Sequence, residues 1–390
     1  MGTDINIENP ELKTDIKPIV FACDENYAPY LSVVIRSIMD NAHSSFHYEI
    51  IILDCSKNQH SEGFSVTMIS LREMVALNPK FSLKLIRVSE ILAKNVFLQK
   101  NKQALKRYSY GTYARILIPD LLPSYDRVLY LDVDHIVLGD IAELFELPLH
   151  NKIIASVPDV SAAYMRLVKR FKRKKLIEDV LNLEIDDCYI IASPMLFDVR
   201  ACRNFGFTDK VLGFLTENYD LPFPDQDAIN SVCKGKIFYL PQKWGRVNSG
   251  NFTKLCNYIQ KNMDKKYSEI ILGDWREDAE NPAIIHYVAS PKPWAGTRPN
   301  YSGLWWRYAA KTKGSMTLLV PLLFPTATPY DREYTAKSYK LFGLTVLTLR
   351  IYPQEEVYRI ASLPFLRKVY GKENIYFYIC GIKFFSICDK

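Results

Sequence analysis

Three short stretches limit what this chain can become. "KPIVFAC" (17–23), "YEIIILD" (48–54) and "RVLYLDVD" (127–134) are largely continuous apolar runs. A strand with one wet face alternates apolar and polar residues, whereas a strand covered on both faces need not. Helical spacing lies between them. In "PYLSVVIRSIMDNA" (29–42), Leu31, Val34, Ile35, Ile38 and Met39 share one face. A helical segment to about Leu77 and a strand "FSLKLIRV" (81–88) come next. A helix "YARILIPDLL" (113–122) precedes the strand at 127–134, and the strands "KIIASVPD" (152–159) and "CYIIASPMLFDV" (188–199) follow it. A short helix "DQDAINSVCKG" (225–235) leads to the late strands "KIFYLP" (236–241) and "AIIHYVA" (283–289). This alternation predicts an α/β fold with a mostly parallel sheet covered on both faces. Ligands of such sheets bind beyond the carboxyl ends of the strands. Asp24, Asn26, Asp132, Asp134, Asp159 and His286 are the polar residues expected there.

After about Pro299 the pattern changes. The chain becomes rich in Trp, Tyr, Lys and Arg, as in "WWRYAAKTK" (305–313). Two similar pieces, "LFGLTVL" (341–347) and "ICGIKFF" (379–385), read as short strands or hairpins of a small C-terminal appendage. The expected organisation is an N-terminal extension (1–16), one α/β domain (17–299) and a basic, aromatic C-terminal region (300–390). A chain of 390 residues, 48% hydrophobic, has ample material for that core. The net charge of +7 suits an anionic ligand or membrane surface and gives no sign of nucleic acid. Eight scattered cysteines show no C-x-x-C pair and no Cys/His spacing, which argues against structural zinc. The polar start is no signal peptide, and no apolar run nears the ~20 residues that span a bilayer. A reducing, cytoplasmic compartment is the expectation.

Asp132 and Asp134 carry the first chemical signal. On an extended strand, residues two apart project to one face. Two carboxylates aimed at one point repel unless a cation lies between them, and hard oxygens suit Mn²⁺ or Mg²⁺. A D-x-D pair also arises by chance, so from these residues alone both readings stand. His286 is either a structural histidine or a ligand. Lys292, between two prolines, is either a solvated lysine or a cation held for a diphosphate. In "PDQDAIN" (224–230), Asp225 is either a helix N-cap or, with Gln226 or Asp227, a group facing a sugar. "RLVKRFKRKK" (166–175), with seven basic residues in ten, is a solvated helix face or a site for an anionic lipid or phosphorylated acceptor.

Taken together and in this order, the blocks "IVFACDENYAPYLSVVIRSI", "TYARILIPDLL", "RVLYLDVDHIVLGDIAEL", "MLFDVRACR", "DQDAIN" and "IIHYVASPKPW" resemble the bacterial members of glycosyltransferase family 8. These are retaining enzymes that build lipopolysaccharide and lipooligosaccharide. The resemblance covers about residues 17 to 295. It implies a GT-A type, Rossmann-like domain that binds a UDP-sugar and a divalent ion. Block by block, it implies that Ala22, Asp24 and Asn26 contact the uridine and that Arg115 approaches the donor sugar and phosphates. It implies Asp132, Asp134 and His286 as the Mn²⁺ (or Mg²⁺) ligands, Asp132 also touching substrate, and Lys292 on the diphosphate. Asp159, Asp225 and Gln226 would line the sugar and acceptor side, with Gln226 or Asp225 supplying an oxygen to the oxocarbenium-like sugar.

One departure stands out. Where the family has Asn-Ala-Gly or Asn-Ser-Gly, this chain has Ile191, Ala192 and Ser193. An amide that would face the sugar is replaced by an apolar side chain, which implies altered donor specificity. Ala289 likewise replaces a common Gly.

The leading expectation is a hexosyltransferase moving glucose or galactose from a UDP-sugar to a lipid-linked oligosaccharide. Its "LPFLRKVY" (363–370) would hold it peripherally on the anionic inner face of the cytoplasmic membrane. The alternative is a non-catalytic UDP-sugar-binding or scaffold subunit of a glycan assembly complex, which Ile191 favours. A nucleotidyltransferase is disfavoured, because "CDENYAP" after the first strand has no Gly and no basic residue.

Overall fold

The computed structural model describes residues 16–42, 45–56, 62–94, 110–168, 174–184, 186–218, 220–288, 292–294 and 300–312, and six strands between 335 and 388. Contacts divide the chain into two compact units, Met1–Ser290 with Pro299–Lys313, and Pro291–Arg298 with Gly314–Lys390. The boundary drawn at residue 299 is therefore not where the contacts divide. Lys311 pairs with Asp40 at 2.6 Å, Asn41 donates to the Tyr308 hydroxyl, and Trp305 is fully buried, which joins the helix Ser302–Ala309 to the first unit.

The described strands of the first unit are β1 (Ile16–Cys23), β2 (His47–Asp54), β3 (Phe81–Arg87), β4 (Arg127–Tyr130), β5 (His135–Val137), β6 (Ile154–Pro158), β7 (Ile190–Asp198), β8 (Ile237–Tyr239), β9 (Arg246–Val247) and β10 (Ile284–His286). Seven form one sheet in the order β3-β2-β1-β4-β7-β6-β8. All run the same way except β7, which is antiparallel to both its neighbours. The mostly parallel α/β sheet expected from the apolar runs is present. Val20, Ile51, Tyr130 and Met195 pack into one apolar core, while Ile19, Phe21, Ile50, Ile52 and Leu129 pack into another. Successive residues of one strand thus feed opposite cores, which is why no polar alternation shows in the sequence.

Three local expectations need correction. The strand read over 127–134 ends at Tyr130, so Asp132 and Asp134 lie in a turn and not on one extended face. The helix read over 113–122 is three short pieces, Tyr110–Ala114, a 3-10 turn Arg115–Leu117 and Ile118–Leu121. Pro119 lies in the first turn of the last piece, where its missing N–H breaks no helical bond. β10 belongs to a separate small sheet, β5-β10-β9, so His286 does not sit at the edge of the main one.

Three helices adjoin residues expected at the site: α1 (Ala28–Asn41) after Asp24 and Asn26, α2 (Val160–Leu167) after Asp159, and α3 (Pro224–Val232), which carries Asp225 and Gln226. Among the described residues no helix is long and apolar enough to cross a membrane.

The second unit contains β11 (Thr335–Leu341), β12 (Leu344–Tyr352), β13 (Glu355–Ile360), β14 (Leu363–Tyr370), β15 (Asn374–Ile379) and β16 (Ile382–Cys388), one antiparallel sheet in sequence order. The register shifts at Tyr339/Lys340, at Tyr358/Arg359 and at Phe377/Tyr378. These places are 19 residues apart, as are Gly343, Ser362 and Gly381 in the sequence. The unit is thus a hairpin repeated three times with a bulge at the same place, not the two similar pieces the glycines suggested. Ser362 and Pro364 hide the middle copy.

Candidate active site

The site grows from the end of β4. Tyr130 is its last residue paired with β7, opposite Met195. The next pair along turns away from this seam: the Leu131 N–H donates to the Val20 carbonyl of β1, and the Pro194 carbonyl accepts from the Ser156 hydroxyl of β6. Beyond it the Ser193 hydroxyl replaces the backbone, accepting the Asp132 N–H at 2.8 Å. The chain turns through Val133 and Asp134 and enters β5. β5 pairs antiparallel with β10, setting His135 across from His286, and the Tyr287 N–H donates to the Asp134 carbonyl at 2.9 Å.

These contacts bring both aspartates to His286. Its Nε2 lies 3.3 Å from Asp134 Oδ1 and 4.0 Å from Asp132 Oδ2. Ligands bonded at about 2.1 Å to one octahedral ion lie about 3 Å apart when adjacent and about 4.2 Å when opposite. Each of these two separations fits a pair of ligands on one ion, and carboxylate oxygens with an imidazole suit Mn²⁺ as well as Mg²⁺. The other Asp132 oxygen is already held, accepting from Arg115 Nη2 and from the Tyr130 hydroxyl, each at 2.8 Å. This leaves Oδ2 on the side of His286. Among the described residues, Asp134, His135 and His286 also offer ligand atoms all within 4.8 Å of one another. His135 had not been singled out in the sequence.

Arg115 links the halves of the site. Its Nη1 donates to the Ala192 carbonyl at 2.9 Å, its Nε lies 3.2 Å from Asp225 Oδ2, and its guanidinium covers the Tyr130 ring at 4.6 Å. Burial alone works against its charge, but Asp132, Tyr130 and Asp225 outweigh that and push its pKa up. Asp225 goes the other way from a free carboxylate. Burial raises its pKa, and Arg115 opposes the rise. Asp225 is not the N-cap of α3. Phe223 holds that place, with Pro224 in the first turn.

Gln226 is pinned at both ends, its Oε1 accepting from the Ala192 N–H at 3.0 Å and its Nε2 donating to the Tyr189 hydroxyl at 3.2 Å. Asp227, read as a possible sugar contact, is fully buried and accepts from the Tyr189 hydroxyl and the Phe223 N–H, so it docks the helix instead. Asn230 holds α3 to β7 by exchanging hydrogen bonds with the Ile190 backbone.

The remaining expected residues sit on other segments. Ala22 is the penultimate residue of β1, and the partly exposed Asp24 follows the strand, its Oδ1 accepting from the N–H groups of Asn26 and Tyr27 just before α1. Asn26 is exposed. Asp159 is the N-cap of α2, accepting from Ser161 and Ala162. Lys292 falls in the second unit. Of the basic run, residues 169–173 lie outside the described residues, Arg166 donates to the carbonyls of Glu184 and Asp187, and Lys174 lies 3.7 Å from Glu178. The side chains of "LPFLRKVY" also lie outside what is described.

Ile191 is 5% exposed and belongs to the apolar core with Val157 and Trp244. A Cβ on Gly245 would lie 3.1 Å from its Cδ1 and 2.9 Å from Val157 Cγ2, so Gly245 makes room for it. Its neighbours do the polar work, Ala192 through both backbone groups and Ser193 through its hydroxyl. Sequence reasoning noted Ser193 as a departure and missed its role. The only available signal was a hydroxyl opposite an aspartate two residues past the end of β4.

The profile of Glycosyl transferase family 8 matches residues 18–298, most of the chain. The chain belongs to that family. It is a sugar-transferring enzyme, a glycosyltransferase of the family-8 type. It is 26% identical over 310 residues to General stress protein A of Bacillus subtilis (strain 168), covering 77% of this chain and 96% of that one. It is 24% identical over 279 residues to Lipopolysaccharide 1,2-glucosyltransferase of Escherichia coli (strain K12), covering 71% and 72%. Among solved structures, the galactosyltransferase LgtC in complex with donor and acceptor sugar analogs superposes with a TM-score of 0.58 at 19% identity, over 80% of this chain and 98% of LgtC. The WbbM bifunctional glycosyltransferase superposes with a TM-score of 0.63 at 22% identity, over 80% of this chain and 52% of WbbM. These likenesses are of fold, and the fold of this family-8 enzyme is of the GT-A type.

Proposed function

We propose that the chain transfers glucose or galactose from a UDP-sugar to a cell-surface glycolipid or lipopolysaccharide acceptor, with retention of configuration and dependence on Mn²⁺ or Mg²⁺. The observation that carries this is the approach of Asp132 Oδ2 and Asp134 Oδ1 to His286 Nε2 beside Arg115. A divalent ion held by Asp132, Asp134 and His286 would supply charge to stabilise the departing diphosphate.

The chain's own groups do the rest. Arg115, locked between Asp132, Asp225 and the Ala192 carbonyl, orients the donor and adds positive charge that needs no rearrangement during transfer. Gln226 Oε1 uses one lone pair on the Ala192 N–H, and its second faces the sugar as positive charge grows at the anomeric carbon. Asp225 keeps Arg115 aligned. In this reading Ala22, Asp24 and Asn26 contact the uridine, Lys292 the diphosphate, and Asp159 the acceptor side. Residues 17–299 carry the catalysis, and the basic, aromatic C-terminal region attaches the enzyme to the inner face of the cytoplasmic membrane. The core position of Ile191 removes the feature that favoured a non-catalytic subunit.

The test is UDP release from a panel of UDP-sugars, with and without Mn²⁺. UDP-glucose or UDP-galactose is expected to turn over only with the ion, and Asp134→Ala to lower turnover about 100-fold or more. Undiminished turnover in Asp134→Ala, or none in the wild type with any donor and a lipopolysaccharide-type acceptor, would sink the proposal.

A further inference from the structure

The family resemblance assigns His135 no role, yet it touches Asp132, Asp134 and His286. It is fully buried. The register of β5 on β10 sets it directly across from His286, and the two rings stack with centroids 4.0 Å apart and planes 24° apart. Its Nδ1 lies 2.8 Å from the Asp132 carbonyl oxygen. A carbonyl only accepts, so Nδ1 carries the proton and the ring's lone pair is on Nε2. Nδ1 is also the atom that comes within 3.7 Å of Asp134 Oδ1. A nitrogen whose proton is committed to a carbonyl does not ligate a cation at the same time. Through Nδ1, His135 therefore acts on the backbone that carries the ligands and not on the cation.

The other ring nitrogen shows that the imidazole is kept for a reason. Among the described residues, His135 Nε2 is buried without a hydrogen-bond partner. An unsatisfied buried nitrogen costs stability that a phenylalanine or leucine at the same position would avoid. What the imidazole offers over those is the Nδ1–H.

We propose that His135 is a positioning residue of the cation site. Its Nδ1–H fixes the Asp132 carbonyl, and with it the turn that presents Asp132 and Asp134. Its ring face fixes the plane of His286. One side chain thereby sets all three ligands, and groups that orient metal ligands in this way commonly change metal affinity about 10- to 100-fold when removed. The inference rests on the reading of Asp132, Asp134 and His286 as ligands.

The experiment is Mn²⁺ titration of the full chain by calorimetry without any sugar nucleotide, with melting of the metal-free proteins followed alongside. His135→Phe keeps a ring for the stack and loses the N–H. His135→Asn keeps a donor and loses the stack. Asp134→Ala is the control. His135→Phe is expected to bind Mn²⁺ about 10-fold more weakly, with His135→Asn between it and the wild type and Asp134→Ala showing no specific binding. Wild-type affinity in both His135 variants, with binding lost in Asp134→Ala, would reduce His135 to core packing and overturn the inference. Binding lost in both His135 variants as fully as in Asp134→Ala would make it a ligand, which overturns it as well. Wild-type affinity in Asp134→Ala would instead bring down the reading of the cation site itself. Should His135→Phe not fold, His135→Asn decides, with weakened binding supporting the inference and unchanged binding refuting it.

Discussion

The seven-stranded sheet and the six-stranded C-terminal sheet draw their neighbours from different distances along the chain. In the first, Ile19 of β1 pairs with Leu129 of β4, and β4 pairs with β7 through Tyr130 and Met195. In the second, every strand pairs with the next in sequence, and the same bulge returns every 19 residues. The first arrangement brings chemically different groups to one point. Arg115, Asp132, Ala192, Asp225 and His286 come from five separate segments, and each is held by a contact from another. The second repeats one local solution, so a copy depends mainly on its immediate neighbours. Long-range pairing builds a site whose parts fail together, whereas local pairing builds a surface whose parts fail singly.

The largest effect that tests this contrast is expected from Arg115→Met. It leaves Asp132 and Asp225 without their shared cation, and breaking a buried pair costs about 3–5 kcal/mol. Urea denaturation should show a loss near the lower end of that range, because Asp132 is partly exposed. A loss below about 0.5 kcal/mol would mean that the segments do not depend on one another through this arginine. A smaller effect is expected from Ile191→Asn. It restores the residue type of the family but sets an amide in an apolar core beside Gly245 and Val157. About 2 kcal/mol should be lost in the same measurement, with no gain in UDP release. A gain in turnover would show that the side chain of residue 191 reaches the sugar after all. The smallest effect is expected from ending the chain after Tyr370, which removes β15 and β16. Hydrogen exchange should quicken in β14, which becomes an edge, and leave β11 and β12 within about threefold of the full chain. Loss of protection across all four remaining strands would make the sheet one cooperative unit and erase the contrast.

Much of the catalytic unit was legible because burial on both faces leaves an unmistakable pattern. The continuous runs at 17–23 and 48–54 became β1 and β2 almost residue for residue. Where partners decide, the pattern misled. "RVLYLDVD" looks like one strand, but β4 stops at Tyr130, and at the next seam position the Asp132 N–H goes to the Ser193 hydroxyl and not to backbone. The repeat in the second unit was half legible. Its glycines at 343 and 381 were visible, while the middle copy, with Ser362 and Pro364, shows itself through the register shift at Tyr358/Arg359.

The same division holds at the site. The sequence by itself determined the family, the sheet and the residue types capable of the chemistry, since these follow from apolar periodicity and the order of short blocks. Only the tertiary structure decided which oxygen of Asp132 is committed to Arg115 and which remains beside His286. It also showed that Ile191 packs into the core, that the Ser193 hydroxyl receives the Asp132 N–H, and that His135 stacks on His286. Each of these depends on a contact between segments far apart in the chain, and single-chain periodicity records only which face of an element is buried, never what it is buried against.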